Sequence, residues 1–204
     1  MVIKMIRTII FDIGNVLAGF KWEEFYRSFG YPEETYRRLV KATVGSSAWQ
    51  EHDRGALTDD EILELFVEND PGIEKEIRKT LGNIKGMLTR FDYAIPWIQE
   101  LKGKGYQVLV LSNFAEKAYR DCKEVLDFLD YVDGGILSFE DKVVKPEPEI
   151  YRLLIDRYGL KPEECVFLDD TEKNLPMARE FGIHTILFKD KEQAVEELKM
   201  LGVV

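Results

Sequence analysis

The stretch IRTIIFDIGNVL, residues Ile6 to Leu17, decides the fold. With the residues before it, the start MVIKMIRTIIF is broken by Lys4 and Arg7 and stops at Asp12, which makes its apolar run too short for a signal peptide or a membrane span. It reads instead as a buried strand, Ile6 to Phe11, with an acid just past its carboxyl end. Four more short apolar runs lie downstream: Val108 to Leu111, Gly135 to Leu137, Val166 to Leu168 and Thr185 to Phe188. All are rich in Leu, Ile and Val without strict alternation, the pattern of strands covered on both faces. Helical patterns separate them, at Tyr93 to Lys102, Ala115 to Phe128, Glu147 to Tyr158, Leu175 to Phe181 and Glu192 to Leu201, with Gly103, Gly105, Gly159 and Gly182 at their ends. Strand and helix in alternation predict an α/β fold, a doubly wound, Rossmann-like parallel sheet.

Between the first strand and the second the rhythm breaks. WEEFYRSF, ETYRRLVKATV and TDDEILELFVEND are amphipathic helical patterns, the last opening with the capping-box pair Thr58 and Glu61. The spacing predicts an all-helical insertion over residues 18–88, with residues 1–17 and 89–204 forming the α/β core. A chain of 204 residues that is 45% hydrophobic can bury one such core plus an insertion. The formal charge of −10, without clustered Lys and Arg, argues against nucleic acid and anionic membrane as partners and for a small soluble ligand or a protein. Cys122 and Cys165 have neither a CxxC spacing nor a His cluster, so they are expected to be reduced thiols in a cytoplasmic protein. Oligomeric state has no signature in the sequence.

Ligands of a doubly wound sheet bind beyond the carboxyl ends of its strands. The residues there are Asp12, then Ser112 and Asn113 in VLVLSNF, Asp169 and Asp170 in VFLDD, and Lys145 in VVKPEPEIY. Two unit charges about 4 Å apart repel by roughly 4 kcal/mol at an effective dielectric near 20, so three acids on one rim call for a cation. A divalent ion with oxygen ligands and water, Mg²⁺, keeps all three ionised. Pro146 and Pro148 hold Lys145 extended just before a helix start. A carboxylate nucleophile, a metal, a lysine and a Ser-Asn pair are the parts that move a phosphoryl group onto an aspartate, from which water removes it.

The four motifs FDIGNVL, LSN, KPEPEIY and LDDTEKN, in that order on strand ends, resemble those of the haloacid dehalogenase-like (HAD) hydrolase superfamily. The resemblance implies that Asp12 is nucleophile and metal ligand, that Ser112 and Asn113 bind phosphate, that Lys145 orients it, and that Asp170, with Asp169 nearby and the Gly14 carbonyl, completes a Mg²⁺ site. The helical insertion is similar to the small cap of the branch that includes phosphoglycolate and sugar phosphatases. Gly14 departs from the pattern: phosphatases of this superfamily usually carry a second Asp there as general acid and base, and losing such a group costs about 10² to 10⁴ in rate. Bacterial sugar-1-phosphate phosphatases resemble this chain in having a DxGNV motif and a cap stretch like WQEHDRGALTDDE, so His52, Asp53, Glu51 or ordered water are the expected replacements. Core packing is the simpler reading of His52, Trp49 and Tyr26, and a helix N-cap that of Asn174. The expected activity is Mg²⁺-dependent hydrolysis of a small phosphorylated metabolite, a sugar phosphate among the candidates. A metal-independent 2-haloacid dehalogenase and a non-catalytic ligand-binding or regulatory protein of the same fold are the alternatives.

Overall fold

In the computed structural model, which describes residues 5–203, seven strands follow one another: β1 (Thr8–Phe11), β2 (Ala18–Phe20), β3 (Leu88–Arg90), β4 (Gln107–Ser112), β5 (Gly134–Leu137), β6 (Cys165–Asp169) and β7 (His184–Leu187). Five of them form one parallel sheet in the order β5-β4-β1-β6-β7. Chain order runs outward from β1 in two directions, so the switch point falls where β1 lies between β4 and β6. Their buried residues divide between the two faces: Ile9, Phe11, Val108 and Val110 pack with Trp97 and Ile98 on one side, and Ile10, Leu109, Leu111 and Phe167 with Tyr151 and Leu154 on the other. This two-sided burial is why the strands read as continuous apolar runs. Among the described residues no helix is long and apolar enough to cross a membrane. The reading of MVIK at the start of the chain lies outside the described residues.

The core helices Ala94–Gly103, Pro148–Tyr158, Leu175–Glu180 and Lys191–Met200 lie within two residues of their expected bounds. Two expectations fail. The helix expected over Ala115 to Phe128 is only Glu116–Asp121, followed by the 3-10 turns Lys123–Val125 and Asp127–Asp130. Its apolar residues Cys122, Leu126 and Phe128 are all buried, so burial pattern without a sustained i to i−4 ladder misled the reading. The insertion is not wholly helical either. At its two ends β2 and β3 pair antiparallel, Ala18 with Arg90 and Phe20 with Leu88, forming a two-stranded stem. Three-residue strands, one centred on Gly19, carry no periodicity; only the pairing of residues some seventy positions apart defines them.

Between the two stem strands the chain forms the helices Trp22–Arg27, Glu33–Ala42, Ala48–Arg54, Asp59–Asn69 and Glu74–Leu81. They enclose their own apolar cluster, including Tyr26, Leu39, Phe66, Ile77 and Met87. The capping box is present: the Glu61 N–H donates to Thr58 Oγ1 at 3.3 Å, and the Thr58 N–H donates to Glu61 Oε2 at 2.8 Å.

Candidate active site

Past β1 the backbone continues its ladder for one residue, the Asp12 N–H donating to the Leu168 carbonyl at 2.9 Å. The chain then turns sharply, and the Ile13 N–H donates to Asp12 Oδ1 at 2.7 Å. Asn15 sits at φ 56°, in the left-handed region that Asn tolerates better than most residues. Its amide is used at both ends: Nδ2 donates to Asp170 Oδ2 at 3.0 Å and Oδ1 accepts from the Phe20 N–H at 3.1 Å. Asn15 thus ties the first loop both to the stem and to the acid after β6. The sequence reading missed it, although an Asn after Gly at a strand end is a turn signal.

Lys145 is 1% exposed. Its Nζ donates to Asp169 Oδ2 at 2.6 Å and lies 3.0 Å from Asp12 Oδ1. Burial pulls its pKa down, but the Asp12 and Asp169 carboxylates outweigh that and hold it above the ordinary lysine value. Asn113, expected to bind phosphate, lines the cavity, and its side chain holds the lysine's backbone: Oδ1 accepts from the Lys145 N–H at 2.7 Å and Nδ2 donates to the Lys145 carbonyl at 3.0 Å. Its amide therefore fixes the backbone from which the lysine reaches in. Ser112, buried at the end of β4, faces Asp12.

Asp169 has no exposure at all and is fully partnered. Besides Lys145, it accepts from the Thr171 N–H at 2.7 Å through Oδ1 and from Asn174 Nδ2 at 2.9 Å through Oδ2. Asn174 thus precedes its helix without capping it through the side chain and braces Asp169 instead. Asp170 is half-buried, its carboxylate turned toward Asn15. One oxygen from each of Asp12, Asp169 and Asp170 lies within 4.8 Å of the others. Three carboxylates against one ammonium leave two negative charges in a buried space. Burial raises the Asp12 pKa; Lys145 and Ser112 lower it, and Asp169 and Asp170 raise it. An all-oxygen cluster of this charge suits a hard divalent cation, so the donor set fits Mg²⁺.

These groups line one end of a cavity of about 250 Å³, which Gly14, Asn15, Thr171 and Lys173 also border. The insertion contributes Phe20, Trp49, His52, Asp53, Ile84, Met87 and Leu88. Burial pushes the Asp53 carboxyl up to about 7; the Asp12 charge adds to this, while Lys145 and Lys173 act against it. Asp53 is held firmly in place. Ser138 Oγ donates to its carbonyl at 2.5 Å, and the next residue, Arg54, forks onto Glu147 with Nη1 to Oε2 at 2.9 Å and Nη2 to Oε1 at 2.7 Å. Gly55, at φ 68°, brings its backbone so close that an added Cβ would lie 2.7 Å from Phe139 Cβ. Glu51 pairs with Arg54 and does not line the cavity. His52 is buried, its Nδ1 has no partner among the described residues, and burial drives its pKa down to about 4, so it is neutral. At Gly14 an added Cβ would meet nothing within 4 Å. Space for an acid exists there; the acid does not.

A family model described as haloacid dehalogenase-like hydrolase matches residues 6–182. Acyl-CoA dehydrogenase family member 10 of Mus musculus is 31% identical over 96% of the chain and 19% of that protein. The chain spans about a fifth of the length of this and the other curated relatives it matches most strongly. Sesquiterpene phosphatase astK of Aspergillus oryzae is 23% identical over 94% of both chains, and (S)-2-haloacid dehalogenase 4A of Burkholderia cepacia is 33% identical over 55% of this chain and 48% of its own. A HAD family enzyme from Bacteroides thetaiotaomicron superposes with a TM-score of 0.73 at 25% identity, covering 94% of this chain and 99% of that one. That enzyme has also been crystallised with magnesium and inorganic phosphate, a structure matching at 24% identity and a TM-score of 0.70 over 93% of this chain and 98% of that one. With the family model spanning most of the chain and the same motifs gathered at one sheet edge, this protein belongs to the haloacid dehalogenase-like hydrolases.

Proposed function

We propose that the chain is a Mg²⁺-dependent phosphatase acting on a small phosphorylated metabolite through an aspartyl-phosphate intermediate. The observation that carries this reading is the convergence of Asp12, Lys145 and Asp170 at one end of a cavity. Magnesium, held by Asp12, Asp170 and the Gly14 carbonyl with Asp169 beside them, would supply charge neutralisation for the phosphoryl oxygens. Lys145 and Ser112 orient that group, and Asn113 and Asp169 position Lys145. An Asp12 oxygen forms a bond to phosphorus as the ester oxygen leaves, and Asp53 gives the departing alcohol its proton. Asp53, now ionised, takes a proton from the incoming water; the new bond to phosphorus forms, the Asp12 bond breaks, and phosphate leaves. The cap helices shield the intermediate from bulk water. Support from outside the geometry is the magnesium and phosphate held by the Bacteroides enzyme and the phosphatase name of the Aspergillus relative.

The Burkholderia relative keeps the dehalogenase reading in play. Against it stands the acid pair after β6: without a cation, Asp170 and Asp169 would repel both a carboxylate substrate and a departing halide. The expected result is hydrolysis of p-nitrophenyl phosphate with Mg²⁺, abolished by EDTA and by Asp12→Asn. Halide release from 2-chloropropionate that survives EDTA would overturn the proposal in favour of dehalogenation. Absence of turnover across a broad panel of phosphate esters, with the fold intact, would point to a binding protein.

A further inference from the structure

The cavity beside Asp12 has two unlike ends. One is the charged cluster. The other is a wall of Phe20, Trp49, Ile84, Met87, Leu88 and Ala118, drawn from the stem, the cap and the helix Glu116–Asp121. Trp49 is held rigidly, its ring 5.9 Å from Phe66, 5.1 Å from His52 and 6.0 Å from Phe20 between centroids. Backbone and thiol groups at this end are already engaged. The Ile84 N–H donates to Asp121 Oδ2 at 3.1 Å, the Cys122 thiol donates to the Ile84 carbonyl at 3.4 Å, and the Met87 N–H donates to the same carbonyl at 3.0 Å. His52 Nδ1 is buried without a partner among the described residues and is closed off from the cavity. A sugar would bring several hydroxyls to a wall whose hydrogen-bonding side chains are Trp49 and His52, and each hydroxyl stripped of water without a new hydrogen bond weakens binding. The volume of about 250 Å³ equals about eight waters at roughly 30 Å³ each, enough for a phosphoryl group and a body of ring size.

We infer that the substrate is the phosphate monoester of a compact apolar alcohol, its organic body lying against the Trp49 and Met87 wall, and not a polyhydroxylated sugar phosphate. The inference rests on the phosphatase reading for its phosphoryl end.

The test uses the full chain with Mg²⁺ and compares benzyl phosphate with glucose 6-phosphate, both esters of primary alcohols. Benzyl phosphate is expected to have the higher kcat/KM by about 10²-fold, in the range that apolar pockets achieve. In calorimetry, which needs no turnover, benzylphosphonate is expected to bind at least about tenfold more tightly than methylphosphonate, and Ala118→Leu, which narrows the wall, to shrink that ratio. Equal or reversed preference in both assays, while acetyl phosphate is hydrolysed, overturns the apolar pocket and leaves the phosphatase reading standing. Preferential binding of benzylphosphonate with no hydrolysis of any ester, acetyl phosphate included, supports the pocket and overturns the phosphatase. A ratio unchanged by Ala118→Leu overturns the placement of the organic body on this wall.

Discussion

Replacing Asp53 by Asn removes one proton-exchanging group while keeping its shape, and the structure sets the scale of the loss. Burial pushes the Asp53 carboxyl up to about 7, toward the neutral range that suits a group serving as both acid and base in one cycle. General acid-base catalysis contributes about 10² to 10⁴ in rate, or about 3 to 5 kcal/mol of barrier. The two half-reactions will not suffer equally. The p-nitrophenolate leaving group needs little protonation, so formation of the aspartyl phosphate should survive, while attack by water, which needs the base, should slow by the full factor. Stopped-flow mixing of Asp53→Asn with p-nitrophenyl phosphate and Mg²⁺ should therefore give a burst of one nitrophenolate per site followed by slow turnover. With an alkyl ester both steps need Asp53, and the burst should vanish. The wild-type kcat should fall as pH drops and both Asp53 and the nucleophile Asp12, each pushed up to about 7 chiefly by burial, take up protons; Asp53→Asn should keep the part of that limb set by Asp12 and lose the rest. Adding Gly14→Asp should restore part of the rate, since nothing lies within 4 Å of a Cβ built there. A kcat for an alkyl phosphate within threefold of wild type in Asp53→Asn would refute the assignment.

The metal site can be tested without turnover: Mg²⁺ at 100 times its Kd should raise unfolding stability by about 2.7 kcal/mol in a thermal melt, and Asp170→Asn should largely remove the shift. His52 falls from 6.5 to about 4 on burial, worth about 3 kcal/mol. Because the unfolded chain binds that proton more readily, this cost is absent above pH 6.5 and grows as pH falls toward 4; denaturant melts should show His52→Gln losing less stability over that window than wild type, and parallel curves would contradict it. Arg54→Ala leaves Glu147 without its forked partner and should cost about 1.5 to 3 kcal/mol of stability and about tenfold in kcat, while Arg54→Lys should recover charge without the fork and regain only part of either.

Local chemistry made much of this molecule legible. A strand buried on both faces must be apolar throughout, so β1, β4, β6 and β7 declared themselves, and the rule that ligands bind past carboxyl ends then located Asp12, Ser112, Asp169 and Asp170. What escaped was set by contacts between distant parts of the chain. β2 and β3 are strands only because each finds the other. Asn113 and Asn174 look like turn or cap residues in sequence, and their amides become braces for Lys145 and Asp169 once β4, β6 and the KPEPE loop are brought together. Asn15 joins Asp170 across 155 positions.

The missing acid follows the same logic. A glycine at position 14 reads as a loss when only the first motif is in view, because the loop offers no other titratable side chain to exchange a proton with the leaving group. On the proposed function the compensating carboxyl is that of Asp53, at the end of the helix Ala48–Arg54 of the insertion, and its usefulness depends on rigidity that such an element does not have by itself: a group that must meet a reacting oxygen within hydrogen-bond reach gains little from a mobile cap. Arg54 on Glu147, Lys142 Nζ on the Gly55 carbonyl and Ser138 on the Asp53 carbonyl fasten that one turn to the core. On that proposal the acid stands at a helix end of the cap instead of in the first loop, and Asp53, Arg54 and Gly55 form the segment of the cap whose geometry the chemistry constrains most tightly.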